Sequence, residues 1–422
     1  MSQTPRIGRR RVLLRLAGAG GALAWIGCGE RKPAPASVPA NPTPPSAEPP
    51  PVAATPSVAP APAPAVHTGR AKPTIRRGTV LAPEKLAGSD GSVRHLLSRI
   101  DLDAATLRAD PFPIPFYGHG LAIDPRDPGR ALVFEKKGPG CCLVDLRAGR
   151  MIREIPAQPG RQFYGHGVFN KDGAYIFCTE TYTEDGTMRG VIAVRDSNTL
   201  RWKGDLPSFG HAPHDVVLSP DLRHLVVTNG GGTRESGHVP NLAWIDLRTH
   251  KVHQRLAFDR DDINAGHVAV AEDGAVAVVS APRDGLDAKA VGVRGAFSFW
   301  RAGVRPEALR SARGPVAEAM RDETLSVAID DRRGRIVATN PKGNQLSWWR
   351  LADGTNLGST TRYVEPRGVA YSLDGSALLV SCGEGSELRL LSPETFEELP
   401  GGVLAESFTS GAHLRVIALD RA

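Results

Sequence analysis

The run Gly165-His166-Gly167-Val168-Phe169-Asn170-Lys171-Asp172-Gly173-Ala174-Tyr175-Ile176-Phe177 sets an apolar stretch on either side of an Asp-Gly turn. That pattern marks two antiparallel strands joined by a tight connection. The unit recurs. Gly118-His119-Gly120-Leu121-Ala122-Ile123-Asp124 passes through Asp127-Pro128-Gly129 into Ala131-Leu132-Val133-Phe134. Pro213-His214-Asp215-Val216-Val217-Leu218 precedes Leu225-Val226-Val227, and Gly266-His267-Val268-Ala269-Val270 turns at Glu272-Asp273-Gly274. Two copies lack the histidine: Leu325 to Ile329 turns at Arg332-Arg333-Gly334, and Arg367 to Tyr371 turns at Leu373-Asp374-Gly375. A half-copy, His413 to Leu419, closes the chain.

The equivalent positions 119, 166, 214, 267, 325, 367 and 413 are separated by 47, 48, 53, 58, 42 and 46 residues. Each interval holds four short strands, which is one blade of a β-propeller. The last half-copy has no strands after it, while Thr79-Val80-Leu81 and Val93 to Leu97 have no first strand before them. Together they make a seventh blade, and strands from both termini close the ring without leaving open edges. The predicted fold is an all-β, seven-bladed propeller over residues 76–422.

The first strand of a blade lines the central channel, so equivalent residues converge on one axis. Five of the seven are His119, His166, His214, His267 and His413; the other two are Leu325 and Arg367. His211 lies three residues before His214. Converging neutral imidazoles suit iron, copper, zinc or nickel, with one ring nitrogen on the metal and the other held by an acceptor. Second strands end on the same face with Glu135, Glu180, Asn229, Asn340 and Cys382, of which Glu135, Glu180 and Asn229 are candidate partners behind the imidazoles. Arg367 is expected to pair with Glu180 or Glu135, or to hold an anion bidentately. Two other readings stay open: histidines that only hydrogen-bond within a water-filled channel, and an organic-ligand pocket.

The first 27 residues read as a twin-arginine signal: Arg9-Arg10-Arg11 abuts a short apolar run ending at Trp25-Ile26-Gly27-Cys28. Cys28 sits where a lipobox cysteine would be lipidated. Residues 28–75 form a Pro/Ala-rich tether, with 13 prolines in the 35 positions from Lys32 to Val66, a composition that extends and buries no core. Cleavage before Cys28 removes five arginines and lowers the net charge from +7 to +2, which leaves nothing basic enough to argue for nucleic acid. Cys141, Cys142, Cys178 and Cys382 lack zinc-ligand spacing and read as small buried residues. No nucleotide fingerprint or nucleophile triad emerges, so no catalytic residue is assigned.

The segment Phe163 to Phe169, with Asp172-Gly173, Thr179-Glu180, Gly190 to Val194, Gly210-His211-x-Pro213-His214 and Val226 to Gly231, resembles a bacterial family known only as a domain of unknown function. The resemblance covers most of residues 76–422 and weakens over 283–324. It implies a Tat-exported propeller, often encoded beside imelysin-like iron-uptake proteins, and hence a role in envelope metal handling. Pro366 to Gly375 is similar to the repeat of surface-layer and lactonase-like propellers. Nitrous oxide reductase is another histidine-lined propeller, but its separate copper domain has no counterpart here.

The function expected is therefore a periplasmic or envelope protein, lipid-anchored to a membrane, binding iron or copper through channel-mouth histidines. The alternatives are an envelope protein-interaction scaffold with structural histidines, and a lactonase-like hydrolase using Arg367, Glu180 and a histidine.

Overall fold

In the computed structural model, residues 76–420 are described apart from 89, 185, 287–293, 304–306, 384–385 and 412. The export signal, Cys28 and the tether lie outside the described residues. The chain forms seven four-stranded antiparallel sheets. Their innermost strands are Gly118–Asp124, Arg161–Phe169, Pro213–Leu218, Val268–Val270, Ser326–Asp330, Pro366–Tyr371 and Arg415–Ile417, defining blades 1 to 7 in that order.

Each middle strand is buried on both faces, which is why it reads as a continuous apolar run rather than a clean alternation. In blade 1, Ala131 and Val133 face blade 7, where they meet Leu81 and Leu97. The residues between and after them, Leu132 and Phe134, face blade 2 and meet Phe163 and Ile176. Blade 4 repeats the device, with Val276 and Val278 toward blade 3 and Ala275, Ala277 and Val279 toward blade 5. The core is thus divided into seven interblade layers. Cys141 and Cys142 are both buried and free; being adjacent on one strand, they face opposite layers.

Blade 7 takes its inner strand from the C-terminal end and its other three from Thr79–Ala87, Val93–Asp101 and Ala109–Pro113. The join pairs Thr79 with Ile417 and Leu81 with Arg415.

A hydroxyl on the second strand ties each of several blades to the next. Thr228 Oγ1 accepts the Asp215 amide of its own blade at 2.8 Å and donates to the Gly266 carbonyl of the next at 2.7 Å. Thr339 does the same between the Ser326 amide and the Arg367 carbonyl, and Thr179 between the His166 amide and the His214 carbonyl. These bonds lock neighbouring inner strands at a fixed height, so residues in equivalent positions form a level ring.

A candidate metal centre inside the channel

His119, His166 and His214 stand on the inner strands of blades 1 to 3, while His267 lies one residue before that of blade 4 and His413 two residues before that of blade 7. Their rings converge. The Nε2 atoms of His119, His214 and His267 form a triangle with sides 2.8, 3.2 and 3.4 Å. His413 Nε2 lies 2.9 Å from that of His267. His119, His166, His214 and His267 each offer a ring nitrogen within 4.8 Å of the others, and all four are buried.

One ring has its tautomer fixed from behind, and a second has a carboxylate close to it. His267 donates from Nδ1 to the Leu325 carbonyl, leaving Nε2 as a bare acceptor. His166 Nδ1 lies 3.2 Å from Asp215 Oδ1, and its own Nε2 is buried without a hydrogen-bond partner. Asp215 is itself held, Oδ1 accepting the Val216 amide at 2.8 Å and Oδ2 the Val268 amide at 3.1 Å. A carboxylate that orients an imidazole whose other nitrogen faces a shared centre is the arrangement behind many metal-bound histidines.

The glycines of the motif make this crowding possible. A Cβ at Gly120 would lie 2.7 Å from His166 Nδ1 and 2.4 Å from the Gly165 carbonyl oxygen. Gly165 has φ +110°, and a Cβ there would come within 2.6 Å of the His119 ring. No larger residue fits between adjacent imidazoles.

Burial depresses every ring in the layer, reinforced by Lys136 and, for all but His166, by neighbouring imidazoles. His166 and His267 are pushed down to about 3, and His119, His214 and His413 well below the ordinary histidine value. All five are neutral at physiological pH, the protonation state a metal requires. The layer stands between two cavities rather than at an open mouth. The smaller, about 380 Å³, has His214 in its wall together with Lys136, Lys137 and Tyr164. The larger, about 650 Å³, is lined by His166, Asp215, His267 and His413.

The residues expected behind the imidazoles direct their bonds elsewhere. Glu180 is fully buried and pairs with Arg195 at 3.1 Å and Arg161 at 3.6 Å. Glu135 accepts the Gly140 amide at 2.9 Å, and Asn229 donates to the Ser208 carbonyl and Asn241 Oδ1. His211 stacks on His238, with ring centroids 3.4 Å apart. Arg367 pairs with neither glutamate: it donates to the Ser410 carbonyl. The physical reason is that second strands stand behind the first, so their side chains enter the interblade layers instead of the axis. The hydrolase grouping of Arg367, Glu180 and a histidine is therefore not assembled. Asp215 and the Leu325 carbonyl, which do support the rings, carried no motif; the one signal was an aspartate directly after a ring histidine.

A family model described as "Protein of unknown function (DUF1513)" matches residues 112–403. The chain belongs to this family. The DUF1513 span contains His119, His166, His214 and His267 and ends before His413. Similar solved structures include the Kuenenia stuttgartiensis hydrazine synthase (TM-score 0.57, 14% identity, 79% of this chain and 99% of that one). The periplasmic gluconolactonase PpgL of Pseudomonas aeruginosa gives a TM-score of 0.56 at 16% identity, over 81% of this chain and 99% of that one. The β-propeller domain of Myceliophteria thermophila Cps50 (Swd1) gives 0.50 at 15%, over 75% and 96%. At these identities the likeness extends to the fold alone. No curated protein matches the sequence.

Proposed function

We propose that this DUF1513 protein is exported, lipid-anchored through Cys28, and binds one iron or copper ion within its propeller channel, in metal handling at the cell envelope. The ligands in this reading are His119, His166, His214 and His267, with His413 beside them. The observation that carries it is the convergence of Nε2 atoms on one buried point. His267 Nε2 has a single in-plane lone pair, yet three other Nε2 atoms approach it at 2.8–3.2 Å. One lone pair does not accept three donors from different directions; a cation between them satisfies all. An imidazole–metal bond of about 2.0–2.1 Å reaches every corner of the 2.8, 3.2 and 3.4 Å triangle. Imidazole donors suit both iron and copper.

The test is metal analysis by mass spectrometry of the full chain grown in iron- and copper-replete medium, beside a His166→Ala/His214→Ala variant. Near-stoichiometric metal in the parent, lost from a variant that still unfolds cooperatively, is the expected result. A metal-free parent, after growth and after reconstitution, would shift the reading to the envelope scaffold. Fractionation of a Cys28→Ala variant checks the anchor, which should be lost from the membrane fraction.

A further inference from the structure

Two residues beyond each ring position, the inner strands supply a second set of residues that reach the larger cavity. These are Leu121, Val168, Val216, Ala269, Val327 and Val369 in blades 1 to 6, and Arg415 in blade 7. All seven line the larger cavity of about 650 Å³. Six are aliphatic and one carries a guanidinium.

Arg415 is exposed to the channel and makes no hydrogen bond or ion pair among the described residues. Asp215 is the carboxylate whose charge acts on it, and that carboxylate is committed to His166 and to two backbone amides. The cavity's other carboxylate, Asp331, accepts the Glu272 amide at 2.9 Å. A guanidinium that reaches this cavity with no protein partner has all its donors available to an anion. Its planar fork matches a carboxylate or carbonate edge through two parallel hydrogen bonds. A cation in the imidazole layer would add to the positive charge, since the five rings are neutral.

We infer that the lower channel binds a small planar oxyanion, of the size of formate or bicarbonate, held by Arg415 below the histidine layer. Its role as counter-ion to a bound metal rests on the reading of the layer as a metal centre; binding by Arg415 itself does not.

The experiment titrates formate into the full chain, metal-free and copper(II)-loaded, by calorimetry and by thermal unfolding. It is run on the parent, Arg415→Leu and Arg415→Lys. Leucine already occupies the equivalent position in blade 1, so the first variant keeps the fold. Formate should bind the parent and raise its Tm, bind Arg415→Leu at least tenfold more weakly, and bind Arg415→Lys with intermediate affinity. Equal formate affinity in parent and Arg415→Leu, or none in the parent in either metal state, would overturn the inference. Arg415-dependent formate binding by a chain that takes up no copper would overturn the metal centre and leave the anion site standing; copper uptake without any formate effect does the reverse.

Discussion

Asp215 stands directly behind one ring of the imidazole layer, its Oδ1 3.2 Å from His166 Nδ1. Its two oxygens are fixed by backbone amides, so the carboxylate keeps a set place at that distance from Nδ1, behind a ring whose Nε2 is buried and unpartnered. Asp215→Asn removes the charge and makes the acceptor compete with a donor at the same place. Metal affinity should fall about 10–100-fold, the usual effect of losing such a partner; chelator competition measures it, and an unchanged affinity would show that His166 is no ligand. The depressed rings also give the metal-free protein a pH-dependent stability. Their folded values lie below the 6.5 of an unperturbed histidine, so stability is present above about pH 6.5 and is lost as pH falls toward about 3. Urea unfolding of metal-free protein across that window should show the decline, and a flat profile would contradict neutral burial. The five histidines were legible because repetition marks them: the same residue recurs at one register of each copy. Asp215 and Arg415 were not, because each occurs once, and a polar residue near a strand start is ordinary.

At the level of strands, the hydroxyls between blades do what sequence reading could not show. Threonine is a common strand residue, so Thr179, Thr228 and Thr339 look like propensity and not like connectors. Their role emerges only once neighbouring inner strands are placed side by side. Thr228→Val keeps the shape but leaves the Asp215 amide and the Gly266 carbonyl without their shared partner. The expected loss is about 1–3 kcal/mol of stability by denaturant unfolding, with weaker metal binding because Asp215 and His267 flank those two groups. A variant as stable as the parent would mean that the strands are held level by packing alone. Strand-turn-strand units, in contrast, were readable from apolar runs and turn residues, except that in the first copy the turn is Pro125-Arg126 and Asp127-Pro128-Gly129 already belongs to the second strand. Residues 283–324 resisted, because blade 4 carries the longest spacing, 58 residues, and its third and fourth strands, Ala296–Trp300 and Arg310–Ser311, are followed by the short helix Pro315–Glu318.

For the molecule as a whole, the ring depends on a short C-terminal strand that is also part of the channel. Arg415–Ile417 pairs with Thr79–Ala87, and the same segment delivers His413 to the imidazole layer and Arg415 to the cavity below. Closure and site are therefore one structural event: the channel is incomplete until the last strand docks. Ending the chain after Ser410 leaves the edge of Thr79–Ala87 unpaired and opens the layers in which Val80, Leu81 and Ala82 pack against blades 6 and 1. An unpaired apolar edge recruits other chains, so the truncated protein should aggregate and lose its single cooperative transition. A synthetic peptide of residues 411–422 should restore solubility by adding as a strand, and metal binding should return with it. Size-exclusion chromatography with and without the peptide, followed by metal analysis of the monomer, reads both effects. A truncated chain that stays monomeric and binds metal as the parent does would show that six blades and three strands suffice, and that His413 lies outside the centre.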